Sequence, residues 1–155
     1  MTQEDKKILL QDLSARLAYG VKVSTTDNDG SLENVWDVLR YNTFTEDIEL
    51  THSTEDANKM VDISEIKPYL FPLSSVTEEI MDEIYEVSGV YDIDVDSPVH
   101  IEVGTTFEDL TKIFHVLNKY HIDYRGLIPM GLAKDATNLN IYKYLFIITE
   151  FISNV

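Results

Sequence analysis

At Gly20 the hydrophobic period of the chain changes, and that change does most to limit the folds open to it. Before it, Ile8, Leu9, Leu13 and Leu17 recur at near-helical spacing, behind a Thr2/Asp5 pair spaced as a capping box. After it, Val21-Lys-Val-Ser-Thr-Thr26 alternates and is β-branched, as a strand is. A helix over residues 3–18 that Gly20 ends and a strand at once follows points to a mixed α and β chain.

The rest of the chain repeats that mixture. Asp27-Asn-Asp-Gly30 is a turn signal suited to a tight hairpin, with a partner strand expected within 34–41 around Trp36, Val38 and Leu39. Asp47-Ile-Glu-Leu-Thr-His52 alternates again and predicts a third strand, whereas 53–62 is polar and reads as a loop. Pro68 and Pro72 forbid an uninterrupted helix over 64–75. Ser75 and Glu78 then have capping-box spacing, and Ile80, Met81, Ile84, Tyr85 and Val87 form an apolar stripe that ends at Gly89. Tyr91-Asp-Ile-Asp-Val-Asp96 and Val99, Ile101 and Val103 alternate, predicting one or two strands. Thr106 and Asp109 open another helix, over 106–120, and Gly126, Pro129 and Gly131 leave room only for short turns over 122–140.

The expected fold is therefore a single α+β domain over 1–155, with a small, mostly antiparallel sheet and three or so helices. Residues 143–155 are a candidate C-terminal extension, dense enough in apolar side chains that it must pack on something. No apolar run approaches the roughly 20 residues of a membrane span, and the polar N-terminus does not read as a signal peptide. With no cysteine in the chain, disulfides and thiolate chemistry are excluded, and a cytoplasmic location is expected.

Charge separates function classes better than any motif. The net charge is −16, yet from Asp27 to Asp109 there are 22 acids against three bases (Arg40, Lys59 and Lys67), while both flanks are slightly positive. Such a field repels phosphate backbones and headgroups and attracts basic proteins, so direct nucleic-acid and membrane binding are disfavoured.

Asp92, Asp94 and Asp96 alternate as calcium ligands do, but Ser97 stands where a calcium loop needs glycine and Val103 where it needs glutamate. On a strand the three carboxylates share a face, which serves as a solvated face or a contact for a basic partner. His52, His100, His115 and His121 fall into no zinc-binding spacing, and no phosphate loop or nucleophile elbow is present. No catalytic residue, metal or cofactor is predicted. Tyr69, Leu70 and Phe71, between the two prolines, form a core-covering loop or an extended apolar segment for a partner groove. Arg125 is expected to pair with a nearby carboxylate.

Three stretches carry a resemblance: Asp12-Leu-Ser-Ala-Arg-Leu-Ala-Tyr-Gly-Val-Lys-Val23, Glu65-Ile-Lys-Pro-Tyr-Leu-Phe-Pro-Leu-Ser-Ser-Val-Thr-Glu-Glu79, and His121-Ile-Asp-Tyr-Arg-Gly-Leu-Ile128 running on through Gly131 to Tyr142. Together, over roughly a third of the chain, they resemble an uncharacterised family of small proteins of gut Bacteroides-type bacteria and their phages and integrated elements. Such proteins tend to stop soon after the segment matching Asn140-Ile-Tyr142, whereas this chain runs on to Val155. The resemblance implies a cytoplasmic protein of mobile-element origin and transfers no catalytic residue.

Two function classes stay open. The favoured one is a non-enzymatic interaction protein whose acidic middle, or Tyr69-Leu70-Phe71, binds a basic protein, in its sharpest form a nucleic-acid-binding one. The alternative is an enzyme or metal module assembled only in three dimensions from Asp92, Asp94, Asp96 and His100, and a structural or assembly role sits between the two.

Overall fold

The computed structural model describes residues 1–25, 34–42, 45, 47–52, 57–90 and 106–142. Helix α1 (Gln3–Arg16) starts at the predicted capping box, with Thr2 and Asp5 each accepting the other's backbone N–H. A single 3-10 turn (Leu17–Tyr19) tightens its end, and Gly20 stops it in the left-handed conformation, φ 70°. The buried face of α1 is Leu9, Asp12, Leu13 and Arg16. Leu17, expected on that stripe, is exposed instead, because an internally neutralised ion pair takes the inward positions.

The described residues hold six strands: β1 (Lys22–Thr25), β2 (Asn34–Tyr41), β3 (Asp47–His52), β4 (Ala57–Asp62), β5 (Ile66–Leu70) and the two-residue β6 (Lys134–Asp135). Their spatial order is β4-β3-β2-β1-β5-β6. Every pairing is antiparallel except that of β5 with β6. A parallel bridge of Phe71 to Ile122 continues β5 by one step.

Part of the stretch read as a polar loop is strand β4, paired in register with β3 along its whole length. Its alternation was hidden because Lys59 occupies an inward position. The lysine stem crosses the Trp36 ring, with Nζ 4.2 Å from the centroid, and Nζ donates to Thr25 Oγ1 at 2.9 Å.

Pro68 is tolerated inside β5 because β6 joins only at Tyr69, leaving the Pro68 level with one neighbour, β1. Helix α2 (Glu78–Ser88) is capped by Thr77, not by Ser75, which belongs to a preceding 3-10 turn. Helix α3 (Phe107–Lys119) begins at the predicted Thr106/Asp109 capping box.

The inner sheet face (Val23, Trp36, Val38, Ile48, Leu50 and Ile66) packs under Leu9 and Leu13 of α1. Helices α2 and α3 bury Ile80, Ile84, Ile113, Val116 and Leu117 against each other and Ile122. The expected turn at 27–30, strands over 91–103 and tail after Tyr142 lie outside the described residues. No described helix is long and apolar enough to cross a membrane.

Candidate functional site

Where α1, the end of β5 and the turn after α3 meet, the chain places a group of charges in its interior. Asp12 and Arg16, one turn apart on α1, are both fully buried. The guanidinium donates from Nε and Nη2 to the two Asp12 oxygens at 2.8 and 2.9 Å, and from Nη2 to the Ile122 carbonyl at 2.8 Å. Arg125 reaches the same carboxylate from outside, Nε to Oδ1 3.4 Å, as the expected partner of a nearby acid. Both cations lie against the Tyr124 ring, whose centroid is 5.4 Å from Arg16 Cζ and 5.0 Å from Arg125 Cζ. One buried carboxylate thus holds two guanidiniums, and Arg16 Nη1 is left without a partner among the described residues.

Two residues after α3, His121 takes the left-handed conformation, φ 55°. Its backbone carbonyl accepts the Phe71 N–H at 2.9 Å, while its ring stacks on Tyr142 with centroids 4.0 Å apart. Neither ring nitrogen makes a hydrogen bond of good geometry among the described residues, the Tyr19 backbone lying near enough only to favour the charged form weakly. Burial, with the Arg16 charge close by, pushes this imidazole down to about 3, so it is neutral at ordinary pH. The Tyr142 hydroxyl accepts from the Lys22 N–H at 3.0 Å and donates to the Tyr69 carbonyl at 2.9 Å, bridging the ends of β1 and β5. Burial raises its phenol above the ordinary tyrosine range.

Beside this interior runs a groove of about 410 Å³ between the end of α1 (Ala15) with Tyr19 and the outer side of α3 (Phe107, Leu110, Phe114 and His115). Tyr19 Oη and His115 Nδ1 form a 2.6 Å hydrogen bond across it. Phe114 stacks on Tyr124 at 4.9 Å, and the Tyr124 hydroxyl donates to Asn118 Oδ1 at 3.1 Å, so the groove wall is braced by the buried cluster.

A third feature is electrostatic. Glu78, Glu79, Asp82 and Glu86 are all exposed on α2, and the helix contains no lysine or arginine. Glu83, by contrast, is held by Lys119 Nζ at 2.8 Å and by the Tyr120 hydroxyl at 2.7 Å. Burial works to raise the Glu83 pKa, but those two donors outweigh it and leave the carboxyl below its ordinary value.

Of the residues singled out from sequence, Tyr69 and Leu70 turn out to be core positions of β5, 2% and 0% exposed. Phe71 is half-buried, its ring centroid 5.9 Å from that of Tyr142. Asp92, Asp94, Asp96 and His100 lie outside the described residues, and among the described residues no three His, Asp or Glu side chains gather as metal ligands do. Sequence reasoning missed the Asp12–Arg16 pair, the His121–Tyr142 stack and the α1/α3 groove. The i,i+4 spacing of Asp12 and Arg16 was visible, but that spacing ordinarily marks a solvated helix face. The residues of the first two features lie in Asp12–Val23 and His121–Tyr142, with Tyr69 of Glu65–Glu79 bonded to Tyr142, so these stretches, separate in sequence, are joined here, whereas the groove draws mostly on α3.

Comparison with protein-family models, with curated proteins and with solved structures finds no match to this chain.

Proposed function

We propose that the protein is a non-enzymatic interaction protein that uses its acidic surface to bind a basic protein partner. The observation that carries this reading is the outer face of α2. Glu78, Asp82 and Glu86 stand at i, i+4 and i+8, so they stack in one row about 6 Å apart along the axis. Like charges in such a row destabilise a helix, and no described cation pairs with any of the three. Asp82 and Glu86, beyond the first turn, gain nothing from the helix dipole, and no contact among the described residues uses the row, which leaves it available to a partner. The net charge of −16 sets the sign of that partner.

In its sharpest form the partner is a nucleic-acid-binding protein whose basic surface the α2 row occupies in place of phosphates. Membership in the family of Bacteroides-type bacteria and their phages belongs to the same proposal. Its support is that the three resembling stretches meet around Asp12, Arg16 and Tyr142.

The test is to immobilise the chain, pass over it a lysate of a gut Bacteroides-type bacterium, and elute with rising salt. The expected result is one or a few basic proteins that leave at moderate salt and are not retained by a variant carrying Glu78→Gln, Glu79→Gln, Asp82→Asn and Glu86→Gln. Retention insensitive to both salt and these substitutions would overturn the reading.

A further inference from the structure

We infer that the corner where Lys59 crosses Trp36 binds a small molecule bearing a single carboxylate. The corner lies on the inner face of the sheet, beside Thr25 and His52, the last residues of β1 and β3. Trp36 is 7% exposed, and its buried Nε1–H has no acceptor among the described residues. His52 meets the same ring in a T-shaped contact, centroids 5.0 Å apart, which fixes the plane in which that donor points. Lys59 Nζ lies 4.2 Å from the ring centroid and donates to Thr25 Oγ1, a neutral acceptor, at 2.9 Å. No described carboxylate pairs with it, although Lys59 is one of three bases among 22 acids between Asp27 and Asp109. Two donors, one of them charged, thus stand on one ring with a single neutral hydroxyl as their described acceptor.

The fold has no need of this ammonium. Methionine at 59 would cover the Trp36 ring with a stem of similar length and would not half-bury a charge. The indole N–H without an acceptor is a further cost. A ligand that accepts from the indole and neutralises the ammonium lifts both.

A carboxylate does this with its two oxygens, and its charge matches the one cation. In a chain of net charge −16 the field opposes every added negative charge, so a singly charged anion is preferred to phosphate, which is largely doubly charged near neutral pH. Trp36 belongs to the apolar core with Val38 and Leu50, so the rest of the ligand is small and apolar. Lys59 is only half-buried, and the approach is from its side.

Trp36 is the only tryptophan in the chain, so one indole N–H signal in a heteronuclear NMR spectrum reports on the corner. Benzoate is the probe; benzamide, of the same shape without the charge, and inorganic phosphate are the comparators. Each is titrated into the full chain and into Lys59→Met and Lys59→Arg, with urea denaturation checking that both variants fold. The expected result is a saturable downfield shift of the indole proton with benzoate at low millimolar concentration. Benzamide and phosphate should bind at least about tenfold more weakly, Lys59→Met should weaken benzoate binding about tenfold, and Lys59→Arg should retain it.

Absence of a saturable shift with benzoate in the full chain overturns the inference outright, whatever the variants do. An equal response to benzamide removes the role of charge, and unchanged benzoate affinity in Lys59→Met removes Lys59; either overturns it too. A phosphate response equal to that of benzoate overturns the assignment to a carboxylate. None of these outcomes bears on the acidic-surface reading, which the lysate experiment judges separately.

Discussion

The imidazole of His121 lies nearly flat on the phenol of Tyr142, the two planes 18° from parallel and the centroids 4.0 Å apart. This stack joins the turn after α3 to the last described residue, and the Tyr142 hydroxyl carries the connection into the sheet.

Because the folded chain holds His121 at about 3 against an ordinary 6.5, acid favours the unfolded chain, which takes up the proton first. Full stability is present above pH 6.5 and is lost as pH falls toward 3, at up to about 1.4 kcal/mol per pH unit. His121→Phe, which keeps the stack, should flatten urea-denaturation stability between pH 6.5 and 4.5, above the ordinary carboxylate range. An unchanged slope would place the acid sensitivity elsewhere.

Tyr142→Phe keeps the ring and removes the hydroxyl, leaving the Lys22 N–H and Tyr69 carbonyl without their bridge. The expected loss is about 1–3 kcal/mol in chemical denaturation, with the native circular-dichroism spectrum retained.

Asp12→Ala strips the buried Arg16 of its counter-ion and should cost about 3–5 kcal/mol. A joint Asp12→Leu and Arg16→Met variant removes both charges and should recover most of that loss, because the cost lies in an unpaired charge and not in the absence of the pair. Equal losses in the two variants would contradict this account.

Neutralising Asp82 and Glu86, which lie beyond the first turn of α2, relieves like-charge repulsion along the helix without touching the favourable charge at its N-terminus. Stability should rise by a few tenths of a kcal/mol per pair relieved, while binding to a basic partner falls. A drop in stability would mean that the row serves the fold.

Glu83 accepts from the Tyr120 hydroxyl, and burial together with that carboxylate raises the phenol above its ordinary value. Glu83→Gln should bring Tyr120 back toward 10, seen as phenolate absorbance appearing at lower pH in a difference titration.

The elements with simple local signals were legible. Two of the three expected capping boxes, the Gly20 stop, and the strands at β1, β2 and β3 follow from side-chain period and backbone preference over a few residues, whereas Thr77 and not Ser75 caps α2. Strand β4 was not legible, because an edge strand that carries Lys59 inward on the Trp36 ring has the composition of a loop. Tyr69, Leu70 and Phe71 read equally as a docking segment or as core, and only the pairing of β5 with β1 and β6 turns Tyr69 and Leu70 inward. The acidity of α2 was legible and the α1/α3 groove was not, since α1 and α3 lie about 90 residues apart in the chain.

By itself the sequence determined the mixed α and β character, the excess of negative charge and the helix ends other than the start of α2, since each depends on composition or on neighbours within a turn or two. Only the tertiary structure decided that Asp12 and Arg16 are interior, that His121 meets Tyr142, and that Phe107 stands at the mouth of a groove. Burial and contact are properties of what packs against a residue, and here the packing partners come from distant parts of the chain.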